Sequence, residues 1–240
     1  MILDDLIGHI VCADCLEVLK NIPDNSIDLV CTDCPYKVVS GGCSGKSLFS
    51  ASKYLKNAKE VAQGKMFRFN DIKFENWLPE VYRVLKEGTH CYIMINGRNL
   101  AELQKQAEKV GFVFQQLIVW EKGNAMPNNW YLQACEFILM LRKGKARKIN
   151  KRNTKNILKI KNIIGNKCHP TEKPIELMEV LIANSTNEND IVLEPFAGGG
   201  STCIAARNLK RRFIGIEIDE KYAKIANERL KQAQRQQTLF

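Results

Sequence analysis

Residues 26–38 read SIDLVCTDCPYKV, an apolar run that closes on Asp33-Cys34-Pro35-Tyr36. Ile27, Leu29 and Val30 have the character of a buried strand. Such a strand rarely finishes on a carboxylate, a proline-restricted backbone and an aromatic ring without a chemical use. Two uses compete. One makes the tetrapeptide a catalytic floor. The other makes Cys34 a zinc ligand, because Cys12-x-x-Cys15 precedes Cys31-x-x-Cys34 by fifteen residues, a spacing found in four-thiolate zinc sites. Context favours the first. Cys12 and Cys31 sit in apolar runs instead of glycine-bearing knuckles, and each pair brackets an aspartate, Asp14 or Asp33. No metal site is expected.

A second candidate lies near the C-terminus, in EPFAGGGST, residues 194–202. Gly198, Gly199 and Gly200 between a strand and a helix permit positive φ and let a ligand approach the backbone. The helix N-terminus behind them favours a negatively charged group. No lysine follows the glycines, which argues against a nucleoside triphosphate. Glu217 ends the next strand, where an acid can take ribose hydroxyls. A dinucleotide is the rival, but Cys203 stands where its fingerprint needs a third glycine. The common denominator is an adenosine-bearing cofactor, with Glu217 on the ribose and Asp14 on an adenine amine. Asp14 also suits the N-cap of the helix that follows it. HPTEKP, residues 169–174, puts Pro174 at the first turn of the helix IELMEVLIA.

These residues need a scaffold. DIVLE, STCIAARNL, RRFIGIEID and EKYAKIANERLKQAQ alternate strand, helix, strand, helix, which implies parallel strands with right-handed crossovers. The N-terminal part supplies HIVCAD and SIDLVCTD as strands and CLEVLKNI as a helix. NWLPEVYRVLKEG and AELQKQAEKVG then read as helices, THCYIMIN as a strand, and FVFQQLIVWEK with ACEFILMLRK as a terminal antiparallel hairpin. The sum is an α/β protein with a seven-stranded, mostly parallel, doubly wound sheet. Its ligands are expected at the carboxyl ends of the strands. Residues 1–240 make one domain, in which 37–76 form a long, mobile loop or insertion with one helical stretch. GCSGKS within it imitates a phosphate loop, yet Ser40 replaces the required first glycine.

The formal charge of +10 is concentrated. Residues 142–161 hold ten Lys/Arg and no acid, and outside them 26 basic residues match 26 acidic ones. Phosphates attract such a segment, which marks 142–166 as a nucleic-acid contact. Its candidate residues are Arg142, Lys143, Lys145, Arg147, Lys148, Lys151, Arg152 and Lys155. No apolar run approaches the ~20 residues of a membrane span, and MILDDLIGHI is no secretory signal. A cytoplasmic protein with reduced cysteines is expected.

DCPY, then HPTEKP, then EPFAGGGST followed by FIGIEIDEKYAKIANERL form an ordered set that resembles the amino-group DNA methyltransferases of the β, circularly permuted arrangement. The resemblance covers most of the chain outside 37–71 and 142–165. It implies a Rossmann-like fold, S-adenosylmethionine as cofactor, and methylation of adenine N6 in double-stranded DNA after base flipping, with cytosine N4 the alternative. By the same resemblance, Asp33 and the Cys34 carbonyl accept from the target amine, Pro35 shapes the backbone and Tyr36 stacks on the extruded base. The cofactor is held by Asp14, Asp33, His169, Thr171, Lys173, Glu194, Pro195, Phe196, Ala197, Gly198, Gly200, Ser201, Thr202, Glu217 and Ile218. A homodimer and a cognate restriction endonuclease are partners it allows. Two departures stand out: Cys34 replaces the family's first proline, and Glu194 replaces an aspartate. A nicotinamide-dependent oxidoreductase and a zinc-containing DNA-binding module remain the rival readings.

Overall fold

The computed structural model describes residues 3–36, 72–126, 130–145, 147–165 and 167–237. The chain divides into two compact units, one formed by Met1–Cys34 with Phe74–Phe240, the other by Pro35–Lys73. Of the expected insertion at 37–76, residues 37–71 lie outside the described ones, and the last three belong to a helix that begins at Phe74. Among the described residues no helix is long and apolar enough to cross a membrane.

In chain order the first unit contains α1 (Leu3–Leu6), β1 (His9–Cys12), α2 (Cys15–Leu19), β2 (Ile27–Asp33), α3 (Phe74–Val84), β3 (Leu85–Ile95), α4 (Leu100–Val110), β4 (Val113–Met126) and β5 (Gln133–Arg142). β6 (Ile157–Lys159), α5 (Ile175–Ser185), β7 (Ile191–Glu194), α6 (Ser201–Asn208), β8 (Arg212–Glu217) and α7 (Glu220–Gln237) follow. The strands form one sheet in the order β1-β8-β7-β2-β3-β5-β4-β6. Only β5 runs against its neighbours. Six consecutive residues of β2, Ile27–Thr32, are buried, which requires cover on both faces of the sheet. α2, α3 and α4 pack together as one group of helices, and α5, α6 and α7 as another.

Two details depart from the expected architecture. The sheet has eight strands among the described residues, because Ile157–Lys159, inside the basic stretch, pairs with β4 in parallel. The β4–β5 hairpin is therefore not terminal. Its strands also exchange order, with β5 inserted between β3 and β4, and four consecutive residues of β5, Ile138–Leu141, are buried.

Close packing of α6 onto β8 has a local cause. A Cβ on Gly215 would lie 2.7 Å from Cys203 Sγ. The cysteine that replaces a third glycine in the helix is thus accommodated by a glycine on the strand beneath it.

Candidate active site

Four adjacent strands deliver an acid to the same edge: Asp14 just after β1, Glu217 at the end of β8, Glu194 at the end of β7 and Asp33 at the end of β2. Parallel strands turn a repeated sequence habit, apolar run then carboxylate, into one row of side chains. Each acid has a distinct environment.

Asp14 accepts from the Leu16 amide at 2.8 Å and caps α2, which engages one oxygen. Glu217 accepts from the amides of Gly198 at 2.7 Å and Asp219 at 2.9 Å. Burial raises its carboxyl pKa, and those amides work against the rise. Gly198 and Gly200 have φ of +49° and +79°, the left-handed region where a side chain is strained. A Cβ on Gly199 would meet Cys168 Sγ at 3.0 Å and Arg229 Nη1 at 3.1 Å. The turn is therefore pressed between the 168–169 segment and α7. Pro195, Ala197, Ser201 and Thr202 are buried around it, whereas Ile218 is exposed. Phe196 packs edge-on against buried Trp77 at 5.2 Å.

Glu194 is the most deeply placed acid. Thr32 and Thr202 hydroxyls donate to it, the latter at 2.8 Å, and the Phe196 amide donates at 3.1 Å. Burial nevertheless pushes its pKa up to about 8, so at neutral pH the protonated form predominates.

Asp33 faces a cation. Lys173 Nζ donates to Asp33 Oδ2 at 2.5 Å, to the Thr171 carbonyl at 3.3 Å, and lies 3.5 Å from Glu136 Oε2. Lys122 in turn reaches Glu136 at 3.2 Å. Two half-buried carboxylates and two buried ammoniums alternate along this chain. Burial raises Asp33, with Lys173 offsetting part of the rise. On Lys173 burial acts downward, but Asp33 and Glu136 outweigh it and keep the ammonium protonated. Glu136 is held below its ordinary range, because Lys173 and Lys122 overcome the upward effect of burial. The Cys34 thiol donates to the Met94 carbonyl at 3.7 Å. Pro35 and Tyr36 open the second unit, whose described residues are Pro35, Tyr36, Ile72 and Lys73.

The HPTEKP segment is tied to α7. Arg229 donates to Glu172 at 2.5 Å and to the Gly199 carbonyl, while the Cys168 amide donates to Glu172 at 2.8 Å. His169 stacks edge-on with Tyr222 at 4.3 Å and bonds the Thr171 hydroxyl through Nδ1 at 3.1 Å. Burial, reinforced by Lys173, lowers its pKa to about 4, so its ring is neutral.

Glu136, Lys122, Glu172, Arg229 and Thr32 escaped the sequence reading. Some signals were present. Glu136 is an acid within an apolar strand, and Arg229 lies seven residues beyond Tyr222, hence on the same face of α7.

The first part of the basic stretch lies away from Asp33. Arg142 pairs with His90, and Lys143 with Thr89, near the start of β3. Asp33 aligns instead with Met94, whose other partner is Ile138. The Arg142–Lys151 segment thus crosses the amino edge of the sheet, away from Asp33. Arg147 donates to the Gly88 and Ser185 carbonyls, and Lys151 to Asn184. Lys143 is only 7% exposed. Its ammonium is spent on Asn25 Oδ1 and the Tyr82 and Leu85 carbonyls, at 2.9, 2.8 and 2.7 Å. Arg142 donates to Gln115 and the Gly144 carbonyl. Lys145, Lys148, Arg152 and Lys155 are exposed. An antiparallel β5 is the reason: it carries the chain back to the amino edge before the basic residues begin.

The zinc reading also fails. β1 and β2 are separated by β8 and β7, three interstrand spacings or about 14 Å. Burial pushes the Cys15 thiol up to about 12 and also raises those of Cys31 and Cys34. Among the described residues no three His, Cys, Asp or Glu side chains form a metal-ligand group.

Comparison with known proteins agrees with this geometry. The model of the DNA methylase family N6_N4_Mtase matches residues 27–228. The chain is 29% identical to the type II methyltransferase M.HinfI of Haemophilus influenzae, over 96% of this chain and 70% of that protein. It is 30% identical to the type II methyltransferase M.HpaI of Haemophilus parainfluenzae, over 92% and 74%. Among solved structures, the M1.HpyAVI–SAM complex superposes with a TM-score of 0.68 at 29% identity, covering 92% of this chain and 98% of the other.

Proposed function

The chain belongs to the DNA methylase family matched over residues 27–228, and from that premise we propose that it is a type II, S-adenosylmethionine-dependent methyltransferase acting on adenine N6 in duplex DNA. One observation carries the reading. A half-buried carboxylate, Asp33, ends β2 with Lys173 on one of its oxygens, and the glycine turn ends β7, the neighbouring strand.

The residues present fit the cofactor. The positive-φ turn at Gly198 and Gly200 brings backbone to the surface of the crevice. Glu217 and Asp14 at adjoining strand ends suit ribose hydroxyls and an adenine amine, and exposed Ile218 suits the face of the adenine ring. His169, Thr171 and Lys173 make the opposite wall, with Glu194 and Phe196 beneath. When bound, S-adenosylmethionine supplies an electrophilic methyl group on a sulfonium sulfur.

The chain's own residues prepare the nucleophile. Lys173 holds Asp33 Oδ2, which leaves Oδ1 to accept from the target amine, and the Cys34 carbonyl accepts the second hydrogen. With both hydrogens engaged, the nitrogen lone pair is drawn out of conjugation with the base. A carboxylate with a raised pKa is also suited to take the proton that the amine releases as its new N–C bond forms. Replacing proline with Cys34 keeps that carbonyl. Tyr36 stacks on the extruded base. An aspartate at the head of the tetrapeptide supports adenine N6 over cytosine N4. That the relatives M.HinfI and M.HpaI are type II methyltransferases supports a cognate endonuclease.

The test is to incubate the protein with unmethylated DNA and methyl-labelled S-adenosylmethionine, then digest to nucleosides. Label in N6-methyladenine is expected. Label in N4-methylcytosine would move the target base, and no label from a cofactor-binding preparation would reject the reaction. Calorimetric titration with NADH separates the oxidoreductase rival, for which no heat of binding is expected.

A further inference from the structure

Three consecutive apolar side chains stand out in solvent at one place: Trp130, Tyr131 and Leu132 are 87%, 93% and 62% exposed. Contiguous exposure of large apolar groups marks a surface that meets a partner. Their position identifies which one. They lie between β4 and β5, whose last described pair is Met126 with Gln133. Ile138 is level with Met94 and, through it, with Asp33. Gln133 is five residues further along β5, so the hairpin rises about 17 Å past the level of Asp33. The same strand carries Glu136, which meets Lys173 beside Asp33. The hairpin is therefore continuous with a strand that reaches the candidate active site. Its flank is basic: exposed Lys161 lies against Gly123 of β4.

We propose that Trp130, Tyr131 and Leu132, which lead into β5, form an apolar wedge that enters duplex DNA at the target and fills the place the extruded base leaves. The inference rests on the reading of the protein as a base-flipping DNA methyltransferase. An exocyclic nitrogen inside a stacked duplex is out of reach of Asp33, and removing the base leaves a gap that water fills poorly. Aromatic faces replace the lost stacking, and aliphatic side chains act as wedges between base steps. Tryptophan, tyrosine and leucine in sequence, beside a lysine for the phosphates, have the chemistry this requires. A second copy of the chain is the competing occupant. The hairpin's continuity with the Lys173–Asp33 pair favours DNA.

The experiment uses the full chain and an oligonucleotide duplex bearing the site, read beforehand by sequencing methylated product. Methyl transfer is compared on the matched duplex and on one with a mismatch opposite the target base, which is already cheap to extrude. For Trp130→Ala/Tyr131→Ala the matched rate is expected to fall about tenfold or more. The mismatch should restore most of it, with cofactor affinity unchanged, and Trp130→Phe should keep most of the activity. An unchanged matched rate overturns the wedge. So does an equal fall on both duplexes, or a variant whose only change is loss of an oligomer. A wild-type chain that methylates neither duplex removes the functional reading itself, a result distinct from these.

Discussion

Asp33 and Glu194 lie on neighbouring strands, and burial raises both, yet they meet different partners. Asp33 has an ammonium beside it, whereas Glu194 has only hydroxyls and one amide. The consequence for Glu194 is measurable. Once the chain unfolds, its carboxyl loses its proton near the ordinary 4.5, but folded it keeps that proton to about 8. Between those values the native state holds an extra proton, so rising pH favours unfolding. Urea denaturation should show stability declining from pH 5 to 8, by roughly 3–5 kcal/mol for this group. Glu194→Gln, which cannot ionise, should flatten that slope and be the more stable chain at pH 8. Strand-end acids such as Asp14, Asp33 and Glu217 could be recognised because each follows an apolar run. Glu136 could not be paired with Lys173 in advance. That contact exists only because β5 enters the sheet beside β3, and linear order does not state it.

Elements decide what a charged residue is for. The ten basic residues at 142–161 form a single feature in the sequence, but β5 ends at the amino edge and deposits the first of them there. Lys143 then becomes a structural cation, with burial lowering its pKa, while Lys148 stays exposed. Lys143→Met should leave its carbonyl acceptors unsatisfied and cost about 3 kcal/mol in urea denaturation. Lys148→Ala should stay within about 0.5 kcal/mol. Neither substitution touches the residues around Asp33, so methyl transfer per folded molecule should be unchanged for both. β6 was hidden for a related reason. Its three residues, Ile157–Lys159, alternate exposed, buried, exposed between charged flanks, too short a pattern to register as a strand. The strand–helix alternation on either side was legible because each element spans enough residues to display its period.

At the scale of the molecule, the N-terminal strands β1 and β2 flank the C-terminal pair β8 and β7. That order brings a tetrapeptide at 33–36 and a glycine turn at 198–200 to neighbouring strand ends. Their separation in the chain conceals a common site, and the alternation of strands and helices is what allowed the closure to be foreseen. Arg229 and Glu172 add a tie between α7, the glycine turn and the Lys173 segment. The proposed function separates two duties, assigning the cofactor to the β7–β8 end of the row and the acceptor amine to Asp33. The most direct test is Asp33→Ala, measured beside the wild type for methyl transfer to DNA and, by calorimetry, for S-adenosylmethionine affinity. Transfer should fall by at least about a hundredfold, with cofactor affinity within about threefold of wild type. Full transfer by the variant, or equal losses of transfer and cofactor affinity, would contradict a catalytic Asp33.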